Sequence, residues 1–244
     1  MRLIEFKKNI YSENGEDGIL EEIFRLLSPA MKEEKWCVEF GAWDGKYSSN
    51  TFNLINSGWN GVYIEGDKNR FKSLLKTCKN YKKITPICAY VDYKKDSENN
   101  LKFLLNKTKI PSDFDLLSID IDSFDLEVWA TYDGHPKVVV IEIDSSIKPG
   151  IVQWHDDQKL QGNSFSAALV CAEKKGYSLA CHCGNMIFVR KDLLNLLDLD
   201  ELDLFFPERL FVSNWIIKNQ IKKNLKNLAK KFLPSYVKKI FKSS

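Results

Sequence analysis

No Gly-x-Gly-x-x-Gly triplet occurs in the 244 residues, so the usual fingerprint for a dinucleotide pyrophosphate is missing. No uninterrupted apolar run approaches the length that crosses a bilayer. The six Cys lack the density of a disulfide scaffold and read as small core residues of a reducing compartment. The opening "MRLIEFKKNIYSENGED" has no apolar stretch of the kind a secretory signal needs. These absences predict a cytoplasmic protein. Acids are missing from one region: Leu210 to Ser244 holds nine Lys and no Asp or Glu. Taking those nine from the 36 Lys and Arg leaves 27 bases against 33 acids in the body. The overall charge of +3 therefore conceals an acidic body and a basic tail.

What is present is an alternation of short apolar runs and helix-like segments, the pattern of a parallel sheet wrapped by helices. Strands are predicted near 36–40, 61–65, 84–88, 115–121, 137–143, 177–182 and 185–190. Helices are predicted near 16–28, 48–57, 68–79, 97–107, 124–131 and 164–175. Pro86 suits only an edge strand or a bulge. The last two strands are joined by Cys183-Gly184, so the final one should run antiparallel. Cys181-His182-Cys183 has no second Cys pair, and strand alternation separates its thiols from its imidazole, so it reads as core. The domain is expected to span residues 1–200, followed by a basic tail over 201–244. Ile217, Ile221, Leu225, Leu228 and Phe232 recur at helical spacing, with Lys on the other face. That tail reads either as a helix lying on an anionic membrane surface or as one packed on the domain or a second subunit. It has almost no Arg, and no RNA-binding module is recognisable, so no nucleic acid is expected.

Chemistry concentrates at strand ends. "WCVEFGAWDG" ends the first strand on Glu39 and spends Gly41 and Gly45 within the next six positions. Glycine there lets the chain turn and lets a ligand approach bare backbone. "GVYIEGD" ends the second strand on Glu65, an acid placed to accept both hydroxyls of a ribose. S-adenosylmethionine has no phosphate, and its cationic groups suit an acidic first loop better than a dinucleotide does. The fourth and fifth strands end "SIDID" and "IEID". Alternation turns Asp120 with Asp122, and Glu142 with Asp144, toward one rim. Such acids repel unless a cation, a donor network or raised pKa values intervene, and hard oxygen ligands suit Mg²⁺ or Mn²⁺. His155, in "VQWHDD", is a candidate general base.

The blocks "YSENGEDGILEEIF", "CVEFGAWDGKYSSNTFNLINSGWNGVYIEGD", "FDLLSIDID", "PKVVVIEID" and "KKGYSLACHCGNMIFVRKDL" together resemble the FkbM-like S-adenosylmethionine-dependent methyltransferases over about residues 9 to 195. The resemblance implies an α/β, Rossmann-like class I methyltransferase fold: seven strands, mostly parallel, the last antiparallel. It implies methyl transfer to a hydroxyl, here that of a sugar in a cell-surface glycan or its lipid- or nucleotide-linked precursor. Glu39, Gly41, Ala42, Gly45, Asn50, Glu65, Gly66, Asp67 and Asp120 fall in its cofactor-binding blocks. Distant metal-dependent relatives such as catechol O-methyltransferase add Asp120 with Glu142 or Asp144 as an expected metal set. Departures lie on the acceptor side: Glu13 stands for the usual Gln, Ser123 for Gly, and "EIDSSI" ends the fifth strand. Two rival functions stay open at this point, a nucleotide-sugar oxidoreductase and a membrane-surface scaffold without turnover.

Overall fold

The computed structural model describes residues 1–158 and 161–217. Its strands are β1 (Trp36–Phe40), β2 (Asn60–Glu65), β3 (Ile84–Cys88), β4 (Leu116–Ile119), β5 (Val138–Ile141), β6 (Tyr177–His182) and β7 (Met186–Arg190). They form one sheet in the order β3-β2-β1-β4-β5-β7-β6. The first five run parallel, and β7 pairs antiparallel with both β5 and β6. This is the α/β, Rossmann-like sheet that was expected, seven strands and mostly parallel. Pro86 sits in β3 at the sheet edge, where its missing N–H costs no central ladder bond. The order reverses between β1 and β4, so the crevice above those strands is the natural ligand position.

Helices α1 (Glu16–Leu26), α2 (Phe52–Asn56) and α3 (Lys68–Asn80) accompany one face, and α4 (Leu101–Asn106), α5 (Asp125–Thr131) and α6 (Phe165–Lys175) the other. Period-two alternation divides the strands between two buried clusters. Val38, Phe40, Val62, Ile64, Leu117 and Ile119 pack with α4–α6. Cys37, Tyr63, Leu116, Val138 and Val140 pack with α1–α3. Cys181 and Cys183 belong to this second cluster, whereas the His182 ring meets Phe165 in the first.

Several boundaries differ from the sequence expectation. Helix α2 starts at Phe52, not near 48, because residues 45–51 form an irregular loop with positive φ at Gly45 and Ser48. Helix α4 starts at Leu101, where the Asn100 side chain caps it. Strand β4 stops at Ile119, before its acids. Residues 201–217 also dock on the body. Helix α7 (Glu201–Phe205) carries buried Asp203, which accepts from Arg2 and Arg209. Phe211 packs edge-on against Phe165, 5.1 Å between ring centres. Of the predicted tail helix, 214–217 are helical and the rest lies outside the described residues. No described helix is long and apolar enough to cross a membrane.

At the opposite end of the sheet, the Lys137 ammonium lies 2.9 Å from the Asp115 carboxylate and donates to the Asp113 carbonyl at 3.1 Å. Asp115 also accepts the Trp36 N–H, at 2.9 Å. Both side chains are buried, so removing one partner strands a charge in a low-dielectric setting. Lys137→Met should cost about 3–5 kcal/mol in urea unfolding. A loss below about 1 kcal/mol, the usual worth of an exposed pair, would contradict this reading.

Candidate functional site

Strand alternation aims Glu39 at the α1–α3 face, in one row with Tyr63 and Ser118. The carboxylate is buried, which pushes its pKa up. Three donors from the following loop offset part of that cost: Ser49 Oγ at 2.6 Å, the Asn50 N–H at 3.0 Å, and Thr51 Oγ1. Thr51 Oγ1 is 2.6 Å from the Tyr63 hydroxyl, and Asn50 Nδ2 donates to Ser118 Oγ at 3.1 Å. Ser49 Oγ also accepts the N–H groups of Thr51 and Phe52, at 3.3 and 2.9 Å. The N–H groups of Asn50, Thr51 and Phe52, leading into α2, are therefore already taken inside the protein.

Glu65 ends β2 and is buried. One oxygen accepts the Trp43 N–H at 2.8 Å and the other the Asp67 N–H at 2.7 Å. The β1–α2 and β2–α3 loops are thus tied to one carboxylate, which keeps further lone pairs for a ligand. Trp43 is held at φ 47°, and the Arg70 guanidinium stacks on its ring at 4.2 Å.

These groups line a cavity of about 650 Å³ over the carboxyl ends of β1, β2 and β4. Glu39, Gly41, Glu65, Gly66, Asp67 and Asp120 all reach it. Exposed Trp43, Tyr47 and Tyr90 form an aromatic rim. Ala42, Gly45 and Asn50, expected at the cofactor, do not line it. Ala42 N–H bonds to the Ile64 carbonyl, and Asn50 is consumed by Glu39 and Ser118. Both glycines have positive φ, but neighbouring protein also dictates them. A Cβ on Gly41 would fall 1.6 Å from the Asp120 carbonyl oxygen, and one on Gly45 2.7 Å from Leu74 Cδ1.

Past β4 the chain turns sharply, with Asp122 at φ 59°. Asp125, buried at the start of α5, accepts the N–H groups of Ile121 and Ser123, at 2.7 and 2.8 Å, and so fixes this turn. The turn brings Asp122 back toward Asp120 and Glu142, with one oxygen from each lying within 4.8 Å of the others. Strand alternation does not produce this, since β4 has already ended. Asp144, expected in the set, is outside it. It accepts the Ser146 N–H at 2.9 Å and faces a second cavity. Burial and then mutual repulsion push the Glu142 pKa up, and burial with nearby Asp125 and Asp122 does the same for Asp120.

His155 is not placed as a base. Its Nδ1 accepts the Gly162 N–H at 3.2 Å, its Nε2 lies 2.9 Å from Asp157, and its ring packs on Phe124. It lines neither cavity.

The stretch "YSENGED" contributes to the resemblance, but the part its side chains play is visible only in the structure. Asp17 Oδ2 accepts the N–H groups of Ile10, Tyr11 and Ser12 and the Ser12 hydroxyl, each at 2.8 Å. Glu16 accepts the Asn14 N–H and Asn185 Nδ2. Two acids at the start of α1 thereby fold the preceding loop over the site. That loop sets Glu13 between the two cavities, where it accepts from Ser48 Oγ at 2.7 Å. The signal was the S-x-x-x-x-D spacing, a hydroxyl and a helix-opening acid that close a loop.

No family model matches the chain, and no curated protein does. Solved structures similar to it include the N-terminal domain of EvdMO1 in the presence of SAH and D-fucose, at 9% identity. The match covers 73% of this chain and 83% of that one, with a TM-score of 0.45. Another is TrmK of M. capricolum in complex with its cofactor product S-adenosyl-homocysteine, at 14% identity over 88% and 90% of the chains, TM-score 0.47. A SAM dependent methyltransferase from Aquifex aeolicus matches at 10% identity over 67% and 85%, TM-score 0.40.

The raised carboxyls make stability depend on pH with a definite sign. A folded-state pKa above the unfolded value means that the native state holds the extra proton. The stabilisation is complete below the ordinary carboxylate range near pH 4 and is lost as pH climbs through the raised values. Urea unfolding of the wild type should show falling stability between about pH 5 and pH 8. Glu142→Gln, which removes the repulsion, should flatten that slope and be the more stable protein at the upper end. Identical slopes in the two proteins would contradict the assignment.

Proposed function

We propose that the chain is an S-adenosylmethionine-dependent O-methyltransferase of the FkbM-like type, acting on a sugar hydroxyl of a surface glycan or its precursor. The observation that carries this reading is the state of the α2 N-terminus. A dinucleotide needs free backbone donors there for its pyrophosphate, and here Glu39 and Ser49 have consumed those of Asn50, Thr51 and Phe52. The cavity is also acidic, with Arg70 its one basic lining residue among those described, and that guanidinium is stacked on Trp43. This disfavours a phosphate-bearing cofactor and the oxidoreductase alternative. It suits a ligand with a sulfonium and an amino group.

S-adenosylmethionine, when bound, supplies a methyl group electrophilic enough for in-line attack by an oxygen. Glu65 is the acceptor for the ribose hydroxyls, with Gly66 and Asp67 beside it at the cavity wall. Gly41 and Glu39 border the methionine end. Asp120 and Glu142 orient the attacking hydroxyl. With one proton shared between them, the ionised member receives the proton that the hydroxyl loses, a role that a pKa raised toward neutrality improves. The same oxygens, with Asp122, are a hard donor set that fits Mg²⁺ or Mn²⁺. The basic segment after Ile217, as sequence, supports contact with an anionic membrane surface carrying the acceptor.

Calorimetric titration with S-adenosylhomocysteine tests the reading. Wild type should bind, and Glu65→Gln should weaken binding about tenfold or more through the loss of charge-assisted bonds to the ribose. Asp120→Asn should keep cofactor affinity within about threefold while abolishing methyl transfer. No binding by wild type, or tight binding of NAD instead, would overturn the proposal.

A further inference from the structure

Beside the cofactor cavity, and sharing Glu13, Asp122, Ser123 and Glu142 with it, lies a second cavity of about 480 Å³. Its far wall is built from distant parts of the chain: Asn14 of the opening loop, Asp144 and Asn163 beyond β5, Asn185 of the β6–β7 turn, and Trp215. Trp215 is kept there by the docked C-terminal segment. The His182 ring stacks on Phe211 with centres 5.0 Å apart and planes 10° from parallel. Its Nδ1 accepts the Val212 N–H at 2.9 Å. Ser145 Oγ donates to the Gly184 carbonyl, so Nε2 of His182 donates to Ser145. The indole ring is 5.8 Å from this imidazole and closes over Gly184.

Two features of the lining identify an occupant. The first is Asn185, whose side chain is held in one orientation by Nδ2 donating to Glu16 at 3.0 Å. The residue is only 8% exposed, and its Oδ1 receives no hydrogen bond from any described residue. An amide oxygen fixed at a cavity wall, with no donor among the described residues, is free to accept one from a ligand. The second is charge. Five carboxyl-bearing residues line the cavity, and among the described residues no Lys, Arg or His does. A phosphate or pyrophosphate would meet only repulsion there. Amides and acids around an indole suit the hydroxyls and apolar C–H face of a pyranose ring.

We infer that this second cavity is the acceptor seat, and that it takes an unphosphorylated glycosyl ring, neutral or amine-bearing, stacked on Trp215 and read by Asn185 Oδ1. The inference rests on the methyltransferase reading above for the word acceptor, and it refines that reading. The methylated sugar is a unit remote from any nucleotide or lipid phosphate, so the reaction follows glycosyl transfer into an oligosaccharide.

Saturation-transfer NMR on the full chain with S-adenosylhomocysteine present tests this. The probes are methyl glycosides of glucose, galactose, mannose, fucose and glucosamine, together with glucose 1-phosphate and UDP-glucose, each with and without added Mg²⁺. At least one methyl glycoside should bind, and the two phosphorylated sugars should bind at least about tenfold more weakly. Asn185→Ala and Trp215→Ala should each weaken the glycoside about tenfold while changing S-adenosylhomocysteine affinity by less than about twofold. Tighter binding of a phosphorylated sugar under either metal condition would overturn the inference. So would glycoside binding indifferent to both substitutions, or no glycoside binding at all. Glycoside binding by a protein that ignores S-adenosylhomocysteine would sustain this seat and defeat the methyltransferase reading, so the two failures are distinguishable.

Discussion

One buried carboxylate fixes the geometry on which the rest depends. Glu39 ends β1 inside the protein, where an isolated charge is expensive. Its remedy is to recruit the next loop: Ser49, the Asn50 backbone and Thr51 converge on its two oxygens. That recruitment delays α2 until Phe52 and requires left-handed turns at Gly45 and Ser48. Asp44 and Glu65 then fasten the outer part of the loop, through the N–H groups of Lys46, Tyr47 and Trp43. Backbone held at positive φ by non-glycine residues is a cost that the surrounding bonds must sustain. Here three such residues, Trp43, Ser48 and Asp122, all border the same cavity.

A consequence is the electrostatic character of the crevice. Donors that would neutralise an incoming anion are spent inside the fold, whereas acids from five separate elements face the open space. Asp120, Asp122 and Glu142 stay together only because protonation, or a cation, relieves them. The same logic distinguishes the linings of the two cavities. One has acids and an aromatic rim. The other has amides, an open carbonyl oxygen and an indole.

Much of this was legible in the residues. Apolar runs gave all seven strands, and Glu39 and Glu65 drew notice as a pair of acids ending neighbouring strands beside glycine; both line the cavity. The reason given for the glycines was incomplete: Gly41 is required by the Asp120 carbonyl, a contact between strands that sequence spacing does not encode. Asp144 entered the expected metal set through the likeness to metal-dependent relatives, whereas Asp122 meets Asp120 and Glu142 because Asp125 bends the chain past β4. His155 drew notice as a rare titratable residue, yet its nitrogens serve its own loop. The roles of Glu13, Asn14, Asn185 and Trp215 depend on residues some 170 positions apart meeting, such as Glu16 with Asn185. Local pattern has no access to that.

The central claim is that the crevice above β1 and β2 is shaped for an adenosyl cofactor without phosphate. A crystal structure of the chain grown with S-adenosylhomocysteine measures this directly. The account predicts the two ribose hydroxyls on the Glu65 carboxylate, the homocysteine part running past Gly41 toward Asp120, and the Glu39–Ser49–Thr51 bonds undisturbed. Ligand density elsewhere on the surface, or a bound dinucleotide with its pyrophosphate on the α2 N-terminus, would contradict it.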